Sequence, residues 1–146
     1  MAIMGIGLDI ADVPRFQEHV ERVPELLDRL LTPREQLKRN GKRRTYESLA
    51  ARFSAKEALT KAIRYPGWMN WQHAEVVSAP SGAPSFRLSG PVLEHFRSIG
   101  ADRLHLSITH DANVTMTYVI CEGDGEPLSP PVDQPLPPMP GRPLED

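Results

Sequence analysis

Proline is spread so unevenly along this chain of 146 residues that it limits where an ordered fold can extend. Eight of the fifteen prolines fall between Gly123 and Asp146. Proline lacks an amide hydrogen and holds φ fixed, so that density admits neither a strand ladder nor a helix. The reading is a folded domain over 1–122 and a disordered tail of polyproline-II character over 123–146. Charge divides at the same place. The tail carries Asp124, Glu126, Asp133, Glu145 and Asp146 against the single base Arg142, a net of −4. The whole chain is −2, so the body is +2. A mildly basic body suits an anionic ligand better than a cationic one.

Several classes drop out. No apolar run approaches the ~18 residues that a membrane span needs. The start, MAIMGIGLDIADV, has no basic region and no cleavage site, and Asp9 interrupts its apolar stretch, so it is not a signal peptide. The expected setting is cytoplasmic. The lone Cys121 excludes an intrachain disulfide and a cysteine zinc cage, and its setting in Val119-Ile120-Cys121 reads as a buried thiol.

Within the body, residues 3–10 alternate as a strand. Met4, Ile6, Leu8 and Ile10 share one face, and Ile3, Gly5, Gly7 and Asp9 share the other. Two glycines leading to a carboxylate mark a place where another backbone or a ligand comes close. Helices follow over about 14–22 and 24–31, and Thr32-Pro33-Arg34-Glu35 is a strong helix start. Lys38 to Arg44 holds five bases in seven residues, either a solvated loop or an anion site. Tyr46 to about Arg64 is a long helix free of Gly and Pro, ended by Pro66-Gly67. Strands at 74–78 and 85–88 form a hairpin, a short helix runs to about Ile99, and a second hairpin turns at 110–113.

On the long helix, Leu49, Phe53, Glu57 and Lys61 step four apart, which leaves Glu57 at the margin of the apolar stripe. A carboxylate there must be paired, hydrogen-bonded or metal-bound. Lys61 is the simplest partner, in the favourable Glu-to-Lys orientation worth ~0.2–0.5 kcal/mol. If the helix packs on the glycine face of the first strand, Glu57 instead meets Asp9. Two carboxylates in one partly dry pocket stay ionised only with a cation between them. Magnesium suits such a pair, together with water and substrate phosphate oxygens. With Lys61 and the basic loop nearby, the reaction class is metal-assisted displacement at phosphorus.

The segments GIGLDIADVPRF (5–16), LTPRE (31–35), LAARFSAKEALTKA (49–62), GAPSFRLSG (82–90) and LHLSITHDANVTMTYVICE (104–122) occur in this order. Together they resemble the holo-[acyl-carrier-protein] synthase family, the small 4′-phosphopantetheinyl transferases, over about residues 2–122. The resemblance implies an α+β fold, an antiparallel sheet wrapped around a long central helix, assembled as a homotrimer with interfacial active sites. The implied enzyme moves 4′-phosphopantetheine from coenzyme A to a serine of apo acyl carrier protein, a step in fatty-acid biosynthesis, and releases 3′,5′-ADP. It places Asp9 and Glu57 on magnesium and Lys61 beside the diphosphate. Arg44 and Arg52 hold the nucleotide end, and Ser107 and His110 line the coenzyme pocket. Arg15 docks the acidic carrier protein. The serine proton passes to Glu57 or to water, and a carboxylate committed to metal favours water.

Three features depart from the family pattern. IRYPGWMNW (63–71) stands where a Gly-Thr-Gly turn is usual, which alters the pocket wall near the pantetheine. Thr115, Met116 and Thr117 replace small alanines, which implies altered subunit packing. The tail is an addition. The rival reading is a non-catalytic coenzyme A or nucleotide-binding module, which has no need of Asp9 and Glu57 together. Nucleic acid is a poor fit, because none of the nine aromatics interleaves with the basic run. An adaptor would place its function in the tail.

Overall fold

The computed structural model describes residues 1–135 and 141. The chain begins with β1 (Ala2–Asp12) and continues through α1 (Val13–Arg22), α2 (Glu25–Leu30), α3 (Pro33–Gln36) and α4 (Tyr46–Ala62). After a 3-10 turn (Trp71–His73) come β2 (Ala74–Ser78), β3 (Pro84–Leu88), α5 (Gly90–Ser98), β4 (Ala101–Asp111) and β5 (Val114–Gly123). One antiparallel sheet has the order β1-β5-β4, and β2 and β3 form a separate hairpin. The fold is α+β, as expected.

α4 is the centre of the body. The Thr45 hydroxyl accepts the Ser48 amide at 3.2 Å and so caps its N-terminus. Its buried set, which includes Leu49, Ala50, Ala51, Ala55, Ala58, Leu59 and Ala62, runs nearly all the way round rather than along one stripe. Alanine makes this possible, because it lets neighbouring strands approach the helix backbone. On β1 the glycines do the same. A Cβ on Gly7 would collide with the Ala58 carbonyl, and one on Gly5 with that of Ala62.

The helix also buries a charge that its sequence gives no sign of burying. Lys56 is fully buried and donates to Glu35 Oε1 (2.6 Å), the Leu30 carbonyl (2.8 Å) and the Trp71 carbonyl (2.9 Å). Glu35 also accepts the amides of Thr32 and Val76, each at 2.9 Å. Every polar group of the pair is thus satisfied, which a buried ion pair requires. The Trp71 ring meets Phe53 edge-on at 5.2 Å, while Trp68 is almost fully exposed.

A register shift between Ile3 and Gly5 alters the face assignment of β1. Met4 turns into the core, while Ile6, Leu8 and Ile10 lie exposed. With Met116 and Tyr118 from β5 they form an apolar outer face of the sheet. The inner face of β5 carries Thr115, Thr117, Val119 and Cys121, all buried. Of the three residues expected to alter subunit packing, Thr115 and Thr117 therefore point inward, and only Met116 faces out. Burial raises the pKa of the Cys121 thiol, in keeping with a core residue.

Residues 124–128 lie against the body. The Leu128 amide donates to the Met4 carbonyl at 2.9 Å, and its side chain joins the core cluster. The terminal amine of Met1 stands 3.1 Å from Asp124, and a Cβ on Gly125 would strike the Ile99 carbonyl. The expected disorder of the tail falls partly on residues 136–140 and 142–146, which lie outside the described residues.

Candidate active site

Close packing of α4 on the glycine face of β1 brings Asp9 and Glu57 together. Asp9 Oδ2 accepts the Ser54 hydroxyl at 2.6 Å, and its Oδ1 stands 3.5 Å from Lys61 Nζ. Ser54 Oγ is 3.1 Å from Thr117 Oγ1, so with the Ser54 proton given to Asp9, Thr117 is the donor to Ser54. Lys61 makes its shorter bond, 2.7 Å, to the Leu8 carbonyl on the free edge of β1. Burial, and next the Asp9 charge and its hydrogen bond, push the Glu57 pKa from 4.5 up to about 7, against the pull of Lys61. Two carboxylates that resist joint ionisation are the donor set a divalent cation relieves. No third ligand adjoins them: among the described residues no group of three or more His, Cys, Asp or Glu could hold a metal. A hard cation here takes its remaining oxygens from water and substrate.

The basic loop is not merely solvated. It folds back through the Lys38 amide to the Lys42 carbonyl (2.8 Å) and a bridge between Leu37 and Arg43. Arg34, Lys38, Arg39, Arg44 and Arg52 thereby line one cavity of about 430 Å³. Arg52 is 6% exposed and donates to the Val76 carbonyl (2.6 Å) and to Ser78 Oγ (3.2 Å). Burial, and next the Arg44 charge, lower its pKa to about 10. Arg44 Nε is buried without a hydrogen-bond partner. Arg52 also borders a second cavity of about 250 Å³, with Glu47, Ser78, Pro84, Ile108 and His110. There His110 Nδ1 lies 3.2 Å from Glu47 Oε1.

Two sequence candidates stand apart. Ser107 is exposed on the outer face of β4, opposite Tyr118, and lines neither cavity of its own chain. Three residues along a strand reverse the face, so Ser107 and His110 cannot share a pocket within one sheet. Arg15 is exposed on α1, where its amide bonds Asp12 Oδ1 at 2.9 Å. The turn after α4 holds Arg64 at a φ of 50°, a left-handed position that glycine adopts without strain. With Ile6, Thr60, Lys61 and Tyr65 it borders a shallow cavity of about 510 Å³.

The carboxylate pair and the cation cavities lie on opposite flanks of α4. Arg52 and Glu57 are five residues apart, about 140° around the helix. Across the sheet, Asp9, Thr117 and Ile108 form one cross-strand row, two strand spacings or about 10 Å wide. The carboxylates sit at its β1 end, and the cavity that Ile108 lines sits at its β4 end.

A family model described as the 4′-phosphopantetheinyl transferase superfamily matches residues 5–119. The chain belongs to that superfamily. It is 46% identical over 123 residues to a holo-[acyl-carrier-protein] synthase of Streptomyces avermitilis, covering 84% of this chain and all of that one. It is also 46% identical over 122 residues to the synthase of Clavibacter michiganensis, covering 84% of this chain and 98% of that one. Among solved structures it resembles a Chronobacterium ammoniagenes ACPS–CoA complex, with a TM-score of 0.74 and 26% identity over 85% of this chain and 99% of that one. The synthase of Helicobacter pylori in complex with coenzyme A has a TM-score of 0.69 and 28% identity, over 80% and 99%.

For a chain of this superfamily, Ser54, Thr117 and Glu47 are the site residues that motif reading missed. Ser54 lies three residues before Glu57, on its side of the helix, so helical spacing held that signal. Thr117 could be found only through the pairing register of β1 with β5, which places it opposite Asp9.

Proposed function

We propose that this chain transfers 4′-phosphopantetheine from coenzyme A to a serine of apo acyl carrier protein, using Asp9, Glu57 and Lys61 as its reactive centre. The observation that carries this reading is the convergence of the two carboxylates beside Lys61. The serine Oγ forms a bond to the phosphorus bearing the pantetheine, the bond from that phosphorus to the bridging oxygen breaks, and 3′,5′-ADP leaves.

Asp9 and Glu57 would hold Mg²⁺. When bound, that ion supplies positive charge to the coenzyme diphosphate and to the departing nucleotide. Ser54 fixes the Asp9 carboxylate from below, with Thr117 behind it. Lys61, tied to the Leu8 carbonyl, presents its ammonium to the diphosphate without a long search through rotamers. With Glu57 engaged as a ligand, the serine hydroxyl proton goes to water. Arg44, Arg52 and His110 bind the nucleotide end, and Arg15 meets the acidic carrier protein.

The active unit is a homotrimer. Placement of the two half-sites on opposite flanks of α4 favours a coenzyme that bridges neighbouring copies. The apolar face formed by Ile6, Leu8, Ile10, Met116 and Tyr118 is the surface such an assembly would bury. Ser107, on that face, then reaches a neighbour's coenzyme rather than its own. The transferase domain is 1–122, with 123–128 as a packed seam and the remainder a tail. The reaction is cytoplasmic; among the described residues no helix is long and apolar enough to cross a membrane.

Intact-mass spectrometry of an apo carrier protein incubated with this protein, coenzyme A and Mg²⁺ tests the reading. The expected result is a gain of one phosphopantetheine. No gain across several carrier proteins would leave only a binding module.

A further inference from the structure

The smaller cavity contains a carboxylate, which is out of place in a pocket for a polyanion. Glu47 belongs to the first turn of α4, where an acid favours the helix dipole. That does not account for its direction, because its Oε1 lies 3.2 Å from Nδ1 of His110, the last cavity-lining residue of β4. An ionised carboxylate has no proton to give, so Nδ1–H is the donor and Nε2 is the ring nitrogen left free. Both side chains border the cavity that also takes Arg52 as a wall. His110 is exposed at the end of a strand, next to the hairpin turn 112–113, and nothing else printed among its bonds holds its ring.

We propose that Glu47 is a positioning residue for the nucleotide end of coenzyme A: it holds the His110 ring so that Nε2 meets the ligand. This rests on the assignment of the cavity to the coenzyme. Glu47 does not touch the phosphates, from which its charge would repel it. It acts through His110, as a carboxylate behind a histidine does at metal sites. The gain is orientation. A ring free to rotate about two bonds must be ordered on binding, whereas one already fastened loses less freedom.

The test is a double-mutant cycle on the full-length protein, read by calorimetric binding of 3′,5′-ADP and by steady-state kinetics in coenzyme A. Glu47→Ala is expected to weaken 3′,5′-ADP binding and raise KM for coenzyme A about tenfold, with kcat unchanged. Glu47→Gln keeps an oxygen that accepts Nδ1–H and should lose no more than about threefold. In a His110→Ala background, Glu47→Ala should change binding by less than about twofold, since its target is gone. The side chain of Glu47 is 45% exposed, so truncation leaves no buried hole, and thermal melting checks that each variant is folded. An equal tenfold loss with or without His110 would overturn the proposal, as would no loss from Glu47→Ala. If the unaltered protein binds no 3′,5′-ADP, the assignment of the cavity has failed, and the proposal fails with it.

Discussion

Ser54 Oγ lies 2.6 Å from Asp9 Oδ2, a short hydrogen bond that joins the middle of α4 to the edge strand β1 at the reactive centre. The bond fixes one oxygen of Asp9 and leaves the other beside Lys61. Ser54→Ala is expected to weaken Mg²⁺ affinity by about tenfold, the scale of a lost partner behind a metal ligand. Titration of turnover against Mg²⁺ measures this. A rise in the half-saturating concentration, with the plateau rate largely retained, is the expected outcome; an unchanged titration would remove Ser54 from the site.

Glu57 gives the metal-free protein a pH dependence of definite sign. Its pKa is about 7 in the folded chain against 4.5 ordinarily. Between those values the unfolded chain has released the proton and the folded chain has not, so the unfolded chain binds fewer protons. Stability therefore falls as pH rises from about 4.5 to 7, and above that window the whole penalty is present. A cation between the carboxylates removes the penalty. Mg²⁺ should accordingly raise the melting temperature more at pH 8 than at pH 5, and Glu57→Gln should flatten the metal-free profile. Equal Mg²⁺ shifts at both pH values would contradict the pairing.

Lys56 stands in the family-like segment SAKEA but works on the fold. Lys56→Met leaves Glu35 buried without its cation and should cost about 3–5 kcal/mol, as loss of one member of a buried pair does. Urea unfolding provides the measurement. A change below about 1 kcal/mol would mean that Glu35 is neutral or reached by water.

The tail divides at Leu128. Truncation after residue 128 should leave both turnover and melting temperature nearly unchanged. Truncation after residue 122 removes the Leu128 amide bond to Met4 and uncovers Met4 and Gly5, so it should lower the melting temperature by several degrees. Equal stability of the two shortened chains would show that residues 123–128 contribute nothing.

Much of the centre was legible because its parts obey simple periods. The alternation in β1 set Gly5, Gly7 and Asp9 on one face, and helical spacing set Glu57 and Lys61 on one side of α4. Glycine then explains the close approach, since Gly7 meets the Ala58 carbonyl directly. Other features depend on register and long-range packing, which no local pattern carries. The shift between Ile3 and Gly5 turned Met4 inward and left Ile6, Leu8 and Ile10 outside. Thr117 and Ser107 took their places from strand pairing. Lys56 reads as a surface charge in a helix until Glu35, twenty-one residues earlier, closes on it. Proline density located the tail but not the docking of Leu128, because a single apolar residue among prolines has no period.

The central claim is that Asp9 and Glu57 together form the reactive centre. Intact-mass measurement of carrier protein with the unaltered enzyme, Asp9→Ala and Glu57→Ala, each at saturating coenzyme A and Mg²⁺, tests it most directly. Conversion by the unaltered protein, with a loss on the order of 10²–10³-fold in each folded variant, is the predicted result. Undiminished conversion by either variant would contradict the account.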